Sequence, residues 1–100
     1  MNKSKLMERF RGCYPVLQRC GITVEKIAAV EGAISKLDGP ALSKKHKWLH
    51  RVEVACKHEA EHWADLTPKA WGNLALLSPG SEDIRKLKSY RKAVKVAFKS

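Results

Sequence analysis

Apolar positions along this chain recur at helical spacing, and glycine, proline and small polar residues interrupt the pattern. From about Ser4 to Cys20, the positions Leu6, Phe10, Cys13, Tyr14 and Leu17 return every three or four residues, as one face of a helix does. Pro15 breaks the run and disfavours helical angles at Tyr14. Either the helix kinks there, or a short second helix begins with the proline at its first position. Gly21 is placed to end the segment in a left-handed conformation. The next helix starts at the candidate N-cap Thr23, with Glu25 in its first turn and Ile22 set to pack on Ile27. Its stripe is Val24, Ile27, Val30, Ile34 and Leu37, and Gly39-Pro40 is predicted to close it.

The longest helix is predicted from about Ala41 or Ser43 to Asp65. Trp48, Leu49, Val52, Cys56, Ala60 and Trp63 share one face, and Lys47, His50, Arg51, Lys57, His58 and Glu61 lie opposite. Thr67-Pro68 then reads as cap and first residue of a short fourth helix, with Leu66 stapled to Trp71. Ser78-Pro79-Gly80 ends it. Ser81 caps a last helix, with Glu82 and Asp83 at its positive end and Ile84, Leu87, Val94 and Phe98 as its seam. No convincing period-two strand and no internal repeat is present. The expected fold is all-α: one compact domain over residues 1–100, of four to five helices with short connections.

Composition narrows the class. One hundred residues with 44% hydrophobic content suffice for a single modest core. That excludes two-domain enzymes with a substrate cleft. No apolar run reaches the length of a membrane span, and Met1 to Phe10 lacks the apolar stretch of a signal peptide. A cytoplasmic protein without membrane contact is expected. Cys13, Cys20 and Cys56 form no CxxC pair and read as buried thiols.

The formal net charge is +10, and its placement says more than its size. Residues 1–40 hold seven Lys/Arg against four Asp/Glu, whereas residues 41–100 hold thirteen against six. One cluster opens the long helix: Lys44, Lys45, Lys47 and Arg51. The other fills the last helix: Arg85, Lys86, Lys88, Arg91, Lys92, Lys95 and Lys99. Within it Arg85, Lys88, Lys92, Lys95 and Lys99 alternate at spacings of three and four, so they form one row about a third of a turn from the apolar seam. Such a row neutralises phosphates and releases counterions. Its lysine bias favours charge contact over bidentate base reading. A solvated face is the bland alternative.

Two helix-turn-helix placements exist. Thr23 to Leu42 fits poorly, because Glu31 and Asp38 fall where apolar residues are needed. The fourth and last helices around Ser78-Pro79-Gly80-Ser81 would send the last helix into a groove of DNA.

All four histidines lie on the long helix: His46, His50, His58 and His62. The run His58-Glu59-Ala60-Glu61-His62 matches H-E-x-x-H and resembles the zinc helix of the zincin metalloproteases. The resemblance covers five residues. It implies His58 and His62 as metal ligands, Glu59 as general base and Asp65, Glu82 or Asp83 as third ligand. Read from the residues alone, Glu59 projects near the centre of the apolar face and pairs with His62. Glu61 and Asp65 then partner Lys57 and His62 on a polar face. Trp48, Trp63 and Trp71 read as core, and Tyr90, beside Arg91 and Lys92, as the exposed aromatic.

The leading expectation is a small non-enzymatic nucleic-acid-binding protein without a cofactor. It suits a DNA-binding regulator or accessory factor of phage or mobile-element type, with DNA preferred over RNA. Arg85, Lys88, Arg91, Lys92 and Lys95 would make the main contact, and Lys44, Lys47 and Arg51 a second one. The alternatives are an interaction module whose basic face meets an acidic protein, and a zinc-dependent hydrolase using His58 and His62.

Overall fold

The computed structural model describes residues 2–100; Met1, the start of the Met1–Phe10 stretch, lies outside them. Five α-helices and one short 3₁₀ helix make up the chain, with no strand among the described residues. They are α1 (Lys3–Gly12), α2 (Tyr14–Arg19), α3 (Val24–Ser35), α4 (Gly39–Gly72), the 3₁₀ helix Leu74–Leu77 and α5 (Glu82–Lys99).

Local chemistry accounts for most of the boundaries. Pro15 sits in the first turn of α2, so the chain takes the second of its two options: two short helices hinged at Cys13. Gly21, with φ 86°, turns the chain toward α3. The Thr23 side chain accepts from Lys26 N–H at 3.3 Å and caps α3. Ser81 caps α5 by accepting from Ile84 N–H at 3.2 Å. Its hydroxyl also donates to Leu76 O at 2.8 Å, which ties the cap to the 3₁₀ helix.

Two boundaries depart from expectation. Gly39-Pro40 opens α4 instead of closing α3, which ends at Ser35. Gly39 takes φ 52° and Pro40 occupies the first turn, where a missing N–H costs nothing. More consequentially, Thr67-Pro68 starts no new helix. Helix α4 runs through Pro68 to Gly72. The Thr67 hydroxyl donates to Trp63 O at 2.7 Å instead of capping. Pro68 cannot bond the Ala64 carbonyl, but both residues are exposed, so water can. Burial of Leu66 and Ala70 on the opposite side of the helix favours an unbroken register.

Helix α4 spans the molecule, which measures 50 × 19 × 18 Å. α1 and α2 lie parallel to it: Arg9 pairs with Glu53, and further along Arg19 pairs with Glu59. α3 returns antiparallel to α1, with Lys3 bonding Ser35 O and Arg11 facing Glu31. α5 runs antiparallel along α4: Trp48 Nε1 donates to Phe98 O at 3.1 Å, and His62 meets Asp83 O at the other end. The core gathers Leu6, Phe10, Leu17, Ile34, Trp48, Leu49, Val52 and Val94, with the three buried cysteines. Burying such side chains contributes about 1.5–3 kcal/mol each. Leu66, Ala70 and Leu87 are buried outside that cluster, on the hairpin of α4 and α5 that projects beyond α1–α3. This hairpin is no helix-turn-helix, because its helices run alongside each other rather than crossing steeply.

Candidate nucleic-acid interface

The apolar seam of α5 decides where its charges point. Leu87 and Val94 are buried, Phe98 meets Trp48, and Tyr90 meets two histidines of α4. Arg85, Lys88, Lys92, Lys95 and Lys99 are exposed on the outer side of the helix. Among the described residues, none of the five lies within ion-pair distance of a carboxylate. The row spans roughly 21 Å at 1.5 Å per residue. Lys95 lies over the turn at Gly21, its Nζ 4.0 Å from where a Cβ there would sit. Lys86 stands off the row and pairs with Glu82 at 3.4 Å.

Arg91 behaves differently from its neighbours. It is half-buried, its guanidinium stacks 5.4 Å from the Trp63 ring, and its Nε is buried without a hydrogen-bond partner. On the other cluster, Lys44, Lys47 and Arg51 are exposed and border a shallow cleft with Ser100. Lys45 lines the same cleft but is half-buried. It lies 4.2 Å over the Trp48 ring, and burial lowers its pKa. The two clusters therefore adjoin at one end of the molecule, where the last turn of α5 reaches the first turns of α4.

The residues of the zincin-like segment are separated by their neighbours. Glu59 is fully buried, and its Oε1 accepts from Arg19 Nε at 3.2 Å and Nη2 at 3.1 Å. Its expected partner, His62, instead donates from Nε2 to Asp83 O at 3.0 Å, since a carbonyl can only accept. His58 stacks on Tyr90 at 6.4 Å. Asp83 thus contributes its backbone to His62, and Glu82 is engaged by Lys86. Among the described residues, no group of three or more His, Cys, Asp or Glu is placed to hold a metal. Lys57–Glu61 does form, at 4.0 Å.

Aromatic placement corrects three expectations. Trp48 is core. Trp71 is 85% exposed, so no staple to Leu66 forms. Trp63 is partly exposed between the guanidiniums of Arg19 and Arg91. Tyr90, expected outside, is half-buried against His58 and His62. Arg19 was legible only as a cation in the last turn of a short helix; its partner Glu59 is 40 residues away.

No protein-family model, curated protein or solved structure matches this chain.

Proposed function

We propose that this chain is a small, non-enzymatic nucleic-acid-binding protein that grips the phosphate backbone with α5, acting as one domain over residues 1–100. The observation that carries the reading is the row of five exposed cations, without carboxylate partners among the described residues, on a helix that is itself anchored to the core. A row of roughly 21 Å matches the rise of about six base pairs at 3.4 Å each. Lysine-rich contacts of this kind favour affinity over base selection. Duplex DNA is the preferred target over RNA, because an 18-residue helix can lie along a groove edge. Lys44, Lys47 and Arg51 extend the contact at the α4 end. A cytoplasmic DNA-binding regulator or accessory factor of phage or mobile-element type fits these features. No helix among the described residues is long and apolar enough to cross a membrane.

The test is a fluorescence-anisotropy titration of a labelled duplex of about 20 base pairs against the full chain across salt concentrations. The log–log salt slope should be about −4.5 for the five phosphates neutralised by the row. Each of Lys88→Ala and Lys92→Ala should reduce the slope by about one unit. Lys26→Glu, an exposed charge reversal on α3, should change the slope little. An absence of saturable binding at low salt, or equal effects of the row and control variants, would refute the proposal.

A further inference from the structure

The projecting hairpin carries a second surface, chemically unlike the basic row. Beyond Arg19, where α2 ends, α4 continues with Leu66 and Ala70 buried but with Trp63 and Trp71 exposed beside them. There Trp63, Leu66, Ala70, Trp71, Leu74 and Leu77 line a groove of about 290 Å³. Trp71, Leu74 and Leu77 are 85%, 76% and 51% exposed. The only hydroxyl in the wall, on Thr67, already donates to Trp63 O. The groove therefore offers an incoming group chiefly apolar contact. Exposed apolar surface gathered in one concave place marks a recognition site more often than a stray leucine does.

Charge at the mouth selects the occupant. Arg19 and Arg91 stack on Trp63, at 5.6 and 5.4 Å from its centre. Glu59 neutralises Arg19, but Arg91 has no carboxylate within ion-pair distance among the described residues, and its Nε is unpartnered. A second copy is disfavoured. An isologous contact across this groove would set Arg91 and the +10 chain against their own images. From Trp63 to Trp71 the groove floor runs roughly 12 Å along α4, which is about two helical turns.

We infer that this groove docks an acidic amphipathic helix of a partner protein. Two or three apolar side chains at i, i+3/i+4 and i+7 spacing would fill it, and an Asp or Glu at one end would meet Arg91. The inference rests on the apolar groove and on Arg91, and it stands independently of the phosphate contact proposed for α5.

The test selects peptides of about 16 residues from a displayed helical library against the full chain, then measures the best binder by anisotropy. Enriched sequences should combine helically spaced Leu, Ile or Phe with flanking Asp or Glu. Trp71→Ala and Leu77→Ser should each weaken binding by roughly tenfold or more. Both positions are exposed, so circular dichroism should report an unchanged fold. Arg91→Gln should weaken the acidic peptide and leave its Gln-substituted version unaffected. The inference is overturned by no enrichment, by enrichment of peptides without carboxylates, or by binding indifferent to Trp71→Ala. It is equally overturned if sedimentation shows a dimer that Trp71→Ala dissolves, or if Trp71→Ala weakens nucleic acid as much as peptide. The first of those results would assign the groove to a second copy, and the second would assign it to stacked bases.

Discussion

Among the described residues, Glu59 and Arg19 form the one ion pair with a fully buried carboxylate, whose side chain is 0% exposed against 28% for Arg19. Removing either partner is therefore not equivalent. Arg19→Ala leaves the buried Glu59 carboxyl without its partner and should cost about 3–5 kcal/mol in urea unfolding. Glu59→Gln should cost less, because its amide oxygen can still accept from Arg19 and the guanidinium can turn to water. The double variant R19M/E59L should recover most of the loss. The surface pairs Lys57–Glu61 and Lys86–Glu82 should be worth only tenths of a kcal/mol. Cys20 shares this site. Burial first, and then the charge of Glu59, push its thiol up to about 11. The folded state therefore holds the thiol proton where the unfolded chain, near its ordinary value of 9.0, has released it. Stability should fall as pH rises from about 9 toward 11, by roughly 2–3 kcal/mol from this group. The pH dependence of the melting temperature across that range should be smaller in Cys20→Ala than in the parent chain.

Among elements, α4 shows how tertiary burial overrides a local stop signal. Thr-Pro is an ordinary helix opening, and the residues around it give no other instruction. The decision comes from Leu66 and Ala70, which must face the hairpin together. The helix bears the missing hydrogen bond of Pro68 on its exposed side. Pro68→Ala should therefore restore a backbone bond at Ala64 and raise stability by about 1–2 kcal/mol, measured by denaturant titration. Removing the Ser81 cap should do the reverse by about 1 kcal/mol. The helix starts at Thr23 and Ser81 were legible because their signals are local and act within three residues. The end of α3 was not, because Gly39-Pro40 serves equally well as a stop or a start.

At the scale of the whole molecule, the core and the projecting hairpin differ in what holds them. The main cluster draws on α1 to α5 around Trp48, Leu49 and Val52, whereas Leu66, Ala70 and Leu87 lie outside it. Amides of the hairpin end, residues 66–84, should exchange with deuterium well before those of residues 48–58. Equal protection at both ends would contradict this division. The two surfaces proposed to bind differ in support accordingly: the cationic row runs from the hairpin along α5 to the core around Val94, whereas the apolar groove lies wholly at the less supported end.

The helical class, the caps at Thr23 and Ser81, the buried cysteines and the cation row on α5 were determined by sequence alone. They depend on periodicity and on contacts within a few residues, and a helix carries its own geometry. Tertiary structure decided everything that turns on which face meets which neighbour. It took Glu59 from His62 and paired it with Arg19, folded Arg91 over Trp63, drew Tyr90 inward and left Trp71 in water. A helical wheel shows that a residue is on the apolar side. It does not show how far the covering helix extends, and α2 stops before Trp71 is reached.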